Sequence, residues 1–459
     1  MTVASPRPRP ARQGLTDFTL PVGREDVEEI ASAAGDPDWL RADRNAAFDA
    51  FEALPAETNL LYTTYIDLRA AQLSSAQLVR SPRTEPSPVS LPDGADGLLV
   101  LTEGDLTGAV LSDEAAAAGV TFSTIAAFGA QRPDRLRELI DGTGTLPADD
   151  KFAQLTRALW TQGVVLDVPT GVRLARPIIV RWAVGAADRA LLSRTLIALG
   201  DGAQASVLEE LVASDEAATS AGGQSFLAGT LEVSLGREAR LEIASLQELP
   251  QTTVAFQHRN AVIGEGATLH WALAQLGSRL VRSRVDNRLE GDRSSVEQVE
   301  IVFGGADQLF DLTSYTRHLG RDTTGNLLSK GALMDRARSY MKGMIVIDRS
   351  AVGTDSFLGE FGMNLSKATR SVAIPSLEID QPDCRRAAHA SSVGPIDESQ
   401  LFYLESRGIP PDEARKFIVM GFLEPVVARV PVAEAQDRLR DLLEETWQAG
   451  SGTGTVAAA

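Results

Sequence analysis

From Gly171 to about Ile379 the chain consists of short runs of β-branched and apolar residues broken by Gly- and Asp-rich turns. Ala239-Arg-Leu-Glu-Ile, Ala267-Thr-Leu-His-Trp and Ser295-Val-Glu-Gln-Val-Glu-Ile alternate apolar and polar positions, the period of two that turns one strand face to a core. A Gly-x-x-small element recurs at Gly200–Ala203, Gly236–Ala239, Gly264–Ala267, Gly291–Ser294, Gly320–Thr323 and Gly353–Ser356. The middle intervals, about 28 residues, suit one coil of a parallel β-helix, and fixed periods of that size point to stacked arrays. On pattern alone an antiparallel sandwich remains the rival architecture.

The flanks have a different period. Trp39–Pro55 reads as an amphipathic helix with Leu40, Ala47, Phe48, Phe51 and Leu54 on one face and Arg41, Asp43 and Arg44 on the other. Gln77–Asp96, rich in Ser and Pro, reads as a long loop, and helical pieces return at Asp134–Ile140 and Lys151–Trp160. Beyond Pro395, Asp397 and Gln400 form a capping-box pattern for a helix that ends at Gly408. A second helix opens at Pro410-Pro-Asp-Glu with an apolar stripe of Ala414, Phe417, Ile418, Gly421, Phe422 and Pro425, the proline ending or kinking it. A third spans Val432–Gln448. The domain reading is a tail at 1–22, an N-terminal helical and α+β domain at 23–169, the β core at 170–390, a C-terminal helical domain at 391–450, and a tail at 451–459. Exposed coil ends make the flanking helical regions natural caps.

The chain has 459 residues, enough to fold on a hydrophobic core without disulfides or structural metal. Its net charge of −18 argues against nucleic acid or an anionic membrane as partner. There is no apolar run of membrane-spanning length and no signal-peptide pattern, so the expectation is a cytoplasmic protein. The single cysteine, Cys384, excludes an intrachain disulfide framework and a multi-thiolate zinc site.

No catalytic constellation stands out. The four histidines, His258, His270, His318 and His389, include no i, i+4 pair, and there is no phosphate-binding Gly-x-x-x-x-Gly-Lys-Ser/Thr, so the chain reads as a non-enzyme. The most chemically suggestive stretch is Cys384, Arg385, Arg386 and His389 at the end of the repeats. Two guanidiniums favour a thiolate, and imidazole is a natural iron ligand. Two ligands do not complete a four-coordinate site, so a cluster held here needs donors from another chain. The bland alternative is an inert cysteine and a hydrogen-bonded histidine.

Four stretches resemble the SufB/SufD family of iron–sulfur cluster assembly proteins. They are Pro37-Asp-Trp-Leu-Arg with Phe51-Glu-Ala-Leu-Pro; Lys151-Phe-Ala-Gln-Leu with Gly163-Val-Val-Leu-Asp-Val-Pro-Thr-Gly; His318 through Lys330-Gly-Ala-Leu-Met-Asp-Arg-Ala-Arg-Ser and Lys342-Gly-Met-Ile-Val-Ile; and Pro375-Ser-Leu-Glu-Ile, His389-Ala-Ser-Ser-Val-Gly, Leu401-Phe-Tyr-Leu-Glu-Ser-Arg-Gly-Ile and Gly421-Phe. The resemblance implies a mainly β fold, a right-handed parallel β-helix between helical domains. It implies a SufC-like ABC-type ATPase docking on the C-terminal helices, through Leu401, Phe402, Tyr403, Arg407, Gly408, Ala414, Arg415, Phe417, Ile418, Gly421 and Phe422. It also implies a SufB-like paralogue pairing through the β-helix. His389 matches the histidine that SufD places at that interface, which implies iron or a transient iron–sulfur cluster shared with a partner subunit, with Cys384 a weaker candidate. Ala388 and Ala390 stand where SufB has glutamates, and the SufB sulfur-transfer cysteine has no counterpart, so the likeness is to SufD. Ala387 stands where SufD often has cysteine. A homodimer, a SufB-like scaffold that builds the cluster itself, and a polysaccharide-active β-helix enzyme are the competing readings. There is no readable flavin motif.

Overall fold

The computed structural model describes residues 15–80, 82–83, 85–142, 148–220 and 222–451. The core is a parallel β-solenoid of about eight coils, so the sandwich alternative falls. Strands alternate between two sheets along the chain, and each pairs in parallel with the strand one coil before and one coil after it. The solenoid strands run from Gln162 to Pro395, wider than the 170–390 read from sequence.

Register explains the repeat. The residues four before each second-sheet strand are Gly200, Gly236, Gly264, Gly291 and Gly320, and they stack because a Cβ would meet the backbone of the coil below. The sixth copy is out of step: Thr324 pairs with Asp355, so Ala351 rather than Gly353 continues this column. Gly353 continues another column, with Gly202, Glu238, Gly266, Arg293 and Asp322, all left-handed with φ between 54° and 78°. Their N–H groups bond coil to coil, from Gly202 to the Arg237 carbonyl at 2.7 Å through Gly353 to the Asp383 carbonyl at 2.8 Å. Three of the six are not glycine, so coil stacking there outweighs a left-handed cost of about 1–2 kcal/mol per residue.

The interior is filled by columns one residue deep per coil. Val207, Ile243, Trp271, Gln298, Leu327, Leu358 and His389 form one such column. All but His389 are buried.

The flanking helices do not cap the ends as expected; they lie along the sides. Residues from the N-terminal region cover the outer face of the first sheet, where Phe18 packs edge-on to Phe152 at 5.2 Å and Phe152 to Phe256 at 4.7 Å. Phe18, Leu20 and Val22, assigned from composition to the tail, therefore pack in the core, while residues 1–14 and 452–459 lie outside the described residues. Helix Asp38–Ala53 buries Leu40, Ala47 and Phe48 as read, but Arg44, placed on the solvent side, is fully buried. Helices Pro411–Val427 and Ala433–Ser451 lie on the outer face of the second sheet, where Val419, Leu423, Val426, Leu439 and Leu442 meet Ala244, Ala272, Val299 and Phe303. Pro425 sits inside its helix rather than ending it. Helix Glu398–Ser406 is capped by Asp397 accepting from Ser399 N at 2.8 Å, and Gly408 is left-handed as read.

The first coil is closed by Thr121–Thr124, antiparallel to Gln162–Val168, and by the hairpin Gly97–Thr102 with Asp105–Leu111. The last coil, Arg370–Ile379 and Arg386–Pro395, has no described strand beyond it. None of the described helices is long and apolar enough to cross a membrane.

Gly320→Ala should lower stability by about 1–3 kcal/mol, because its Cβ would lie 2.3 Å from the Gly291 carbonyl oxygen. Gly394→Ala meets nothing within 4 Å and should leave the thermal midpoint unchanged, so the pair measured by calorimetry checks the stacking argument.

Candidate functional site

The open end of the solenoid carries the candidate site. His389 pairs with Leu358 and continues the interior column, but with no coil above it the ring is exposed. Its neighbours on the last coil are half-open, and Ile379 and Val393 are 45% and 38% exposed. Unpaired strand edges beside exposed apolar side chains form a template for another chain's strands.

Cys384 lies in the turn before the last strand, half-buried against Leu327, Ile345, Ile347, Ala351 and Leu358. The two guanidiniums expected to favour its thiolate are engaged elsewhere: Arg385 pairs with Asp322, and Arg386 Nε donates to Asp355 at 2.7 Å. The sequence neighbours of Cys384 are thus guanidiniums already paired with aspartates of earlier coils. Ala387 occupies the inward column of Gly325 and Ser356. Among the described residues no three His, Cys, Asp or Glu side chains converge as a metal site.

The C-terminal helices present a second exposed patch. Phe402, Tyr403 and Phe417 are 72%, 56% and 59% exposed, and the Arg407 guanidinium lies 5.1 Å over the Tyr403 ring. Leu401 and Ile418 border it half-buried, Arg415 is half-buried, and Gly408 and Gly421 are exposed. Two residues of the expected docking set point elsewhere. Ala414 is fully buried, and Phe422 is half-buried with its carbonyl accepting from Lys330 Nζ at 2.7 Å. The helix is apolar on two sides, and the sheet takes the side of Val419, Leu423 and Val426.

Residues 182–422 match the family described as SUF system FeS cluster assembly, SufBD core domain. The chain belongs to the SufB/SufD family. It is 26% identical over 433 residues, 93% of this chain and 98% of the relative, to the iron-sulfur cluster assembly protein SufD of Bacillus subtilis. It is 26% identical over 293 residues to an iron-sulfur cluster assembly SufBD family protein of Staphylococcus saprophyticus, and 27% identical over the same length to one of Staphylococcus epidermidis. Those two alignments cover 64% of this chain and 62% of each relative. The family core therefore includes nearly the whole solenoid, the open end and the exposed aromatic patch.

Two buried polar systems of this SufB/SufD protein escaped the sequence reading. One lies inside the solenoid, where Glu209, Ser245, Leu273, Glu300, Ser329, Glu360 and Ser391 share a column. Arg259 Nη2 donates to Glu209 at 3.0 Å and to Ser245 at 2.8 Å, while Ser283 donates to Glu300 at 3.2 Å. Burial pushes the Glu300 carboxyl up to about 7 and Glu360 up to about 8. Glu360 accepts from Ile374 N at 2.9 Å and so ties the penultimate coil to the last.

The other lies between the first sheet and the N-terminal layer. His258 Nε2 is 2.9 Å from Asp286, Arg284 bonds Asp286 at 2.8 Å and Asp150 at 3.2 Å, and Arg282 bonds Asp311 at 3.0 Å. Lys342 lies 3.9 Å from Glu57 and ion-pairs with Asp311. Four buried carboxylates, Glu57, Asp150, Asp286 and Asp311, thus lie among the basic side chains of Arg282, Arg284, Lys342 and His258, and the exposed Asp149 also pairs with Arg284 at 3.2 Å. A positive charge on His258 is favoured by the carboxylates that face it. Burial opposes that charge, but the flanking Asp286 and Asp150 carboxylates outweigh it and raise the His258 pKa. The contact to Asp150 is ionic, since Nδ1 lies 3.9 Å from it.

A raised histidine pKa adds stability that is complete below the unfolded value and lost as pH climbs through the folded one. His258→Gln should therefore lower the thermal midpoint most at pH 6, and the deficit should shrink by pH 9. Glu360 titrates with the same sign. Between its ordinary value of 4.5 and about 8, the fold holds a proton that the unfolded chain releases, losing about 1.4 kcal/mol per pH unit. Glu360→Gln should match wild type at pH 4.5 and exceed it at pH 8.5 in the same measurement.

Proposed function

We propose that this chain is the SufD-like, non-catalytic subunit of a cytoplasmic iron–sulfur cluster assembly complex. The observation that carries the reading is the open last coil, with His389 exposed at the mouth of the solenoid beside unpaired strand edges. A SufB-like paralogue docks there, its strands continuing both sheets and its side chains completing the ligand set that His389 begins. Iron and sulfide are cargo at this seam, and imidazole is a suitable ligand for iron. Cys384, packed in the turn and without free cationic neighbours, takes no part in this reading.

A SufC-like ATPase docks on the C-terminal helical unit through Phe402, Tyr403 and Phe417, with Arg407 and Arg415 at the rim. Large exposed aromatic residues next to arginine have the composition of interface anchors. ATP-driven movement of the docked ATPase pulls on helix Pro411–Val427, whose inner side packs on the second sheet. That gives a mechanical route from nucleotide to seam.

Anaerobic affinity purification from the native cytoplasm, with co-eluting proteins identified and iron and sulfide assayed, tests both contacts. The expected result is recovery of an ABC-type ATPase and a paralogue. Phe402→Ser with Phe417→Ser should lose the ATPase and keep the paralogue, whereas His389→Ala should keep both proteins and lose at least tenfold of the iron. Recovery of the chain as a homodimer without partners or iron would overturn the reading.

A further inference from the structure

Where the N-terminal layer reaches the last coils of the first sheet, it carries two leucines on its surface. Leu60 and Leu61 are 86% and 56% exposed, and Leu60 is the most exposed large apolar side chain among the described residues. Scattered surface leucines are ordinary, but these two are adjacent and their turn is pinned. Asn59 Oδ1 accepts from Leu61 N at 3.0 Å, the Asn59 carbonyl accepts from Tyr62 N at 2.9 Å, and Asn59 Nδ2 donates to the Tyr315 hydroxyl at 3.0 Å. Tyr62 is fully buried, and its hydroxyl donates to the Gly343 carbonyl at 3.1 Å. A turn held at both ends presents its side chains with little further ordering cost on binding.

The place of the turn decides what meets it. Tyr315 and Gly343 lie on the two strands that precede Arg370–Ile379 in the first sheet, and the Ser376 side chain of that last strand interacts with the Tyr62 phenol. The turn therefore stands within about two strand spacings, roughly 10 Å, of the open edge. Tyr340, Lys342 and Met344 pair with Val372, Ile374 and Ser376, and Tyr340 and Lys342 face the N-terminal layer, so the period of two puts these three last-strand residues on the same outer face. They are half-buried and uncharged, with the exposed Arg370 and Glu378 at either end. From Ala56 to Tyr65 the one charged residue, Glu57, is buried. In a chain of net charge −18, this uncharged centre with a charged rim has the composition of an interface.

A strand that pairs with the edge of Arg370–Ile379 lies about 4.8 Å beyond it, and its chain then runs alongside Val372, Ile374 and the leucine turn. We propose that Leu60 and Leu61 form a lateral contact with the SufB-like paralogue, packing on an apolar, uncharged surface beside its seam strand. This rests on the docking reading above and adds a contact outside the strand edges.

Surface plasmon resonance between the full chain and the separately purified SufB-like paralogue tests it. Leu60→Ser with Leu61→Ser should weaken binding at least tenfold, chiefly through faster dissociation, with the thermal midpoint unchanged, and Leu60→Met with Leu61→Met should bind as wild type does. Hydroxyl-radical footprinting of the unmutated pair gives a second readout, in which Leu60 and Leu61 should lose labelling on complex formation. If wild type does not bind the paralogue, the docking reading fails and this contact with it. If wild type binds and the serine variant binds equally, or the leucines stay fully labelled in the complex, the lateral contact alone is overturned. It is equally overturned if the serine variant keeps the paralogue but loses self-association or the ATPase.

Discussion

In a parallel solenoid each strand spends its backbone N–H and C=O groups on the coils above and below, so pairing demand is met everywhere except at the two ends. This protein treats its ends differently. At the first coil, Thr121–Thr124 turns antiparallel against Gln162–Val168, and a hairpin completes the second sheet. At the last coil the strands Arg370–Ile379 and Arg386–Pro395 stop with their outer edges unmatched. The same stacking that buries Trp271 and Leu358 brings His389 into their column and leaves it exposed, because burial there requires a further coil and none follows among the described residues. The chemistry of the open end follows from this one deficit.

The two lateral layers are held by different physics. On the second sheet, alanines at 244, 272 and 274 make a flat apolar face against which helix Pro411–Val427 lies chiefly by shape and hydrophobic burial, with Lys330 adding one bond to the Phe422 carbonyl. On the first sheet the N-terminal layer sits over a buried ionic cluster whose members must all be paired at once. Such a cluster adds little net stability over an apolar contact, but it penalises any other placement of Glu57 and Asp150 severely. A layer fixed in one position suits a side wall that holds the Leu60–Leu61 turn in place. A layer held chiefly by apolar contact suits helices that transmit movement, with their outer aromatic side chains exposed.

Much of the architecture was legible before any coordinates. The period of two, the recurring glycines and the helical periodicity at both flanks all arise from contacts within one coil or one helix, and local sequence reports those. The stacking glycines from Gly200 to Gly320 and the caps at Asp397 and Gly408 belong to this class. Gly353 satisfies the repeat pattern while occupying the left-handed column, a distinction visible only in register. For the candidate site, the motif around His389 singled out a residue that the fold places at the open end, but neither its exposure nor the pairing of Arg385 and Arg386 with aspartates of earlier coils could be read from neighbours in sequence.

Local alternation and spacing thus determined that the chain forms short strands at a repeating interval flanked by helices, and the motif residues pointed to its family and to a parallel rather than an antiparallel arrangement. Only the tertiary structure decided that the helical layers lie on the sides rather than across the ends, that Arg44 is buried, and that Ala414 faces inward while Phe417 faces out. It alone brought His258, Asp150 and Asp286 into one cluster from separate strands and loops. The reason is physical: a residue's partners along a strand or helix lie a few positions away, whereas its partners across coils lie about 30 residues away, at distances that each coil's loops adjust independently.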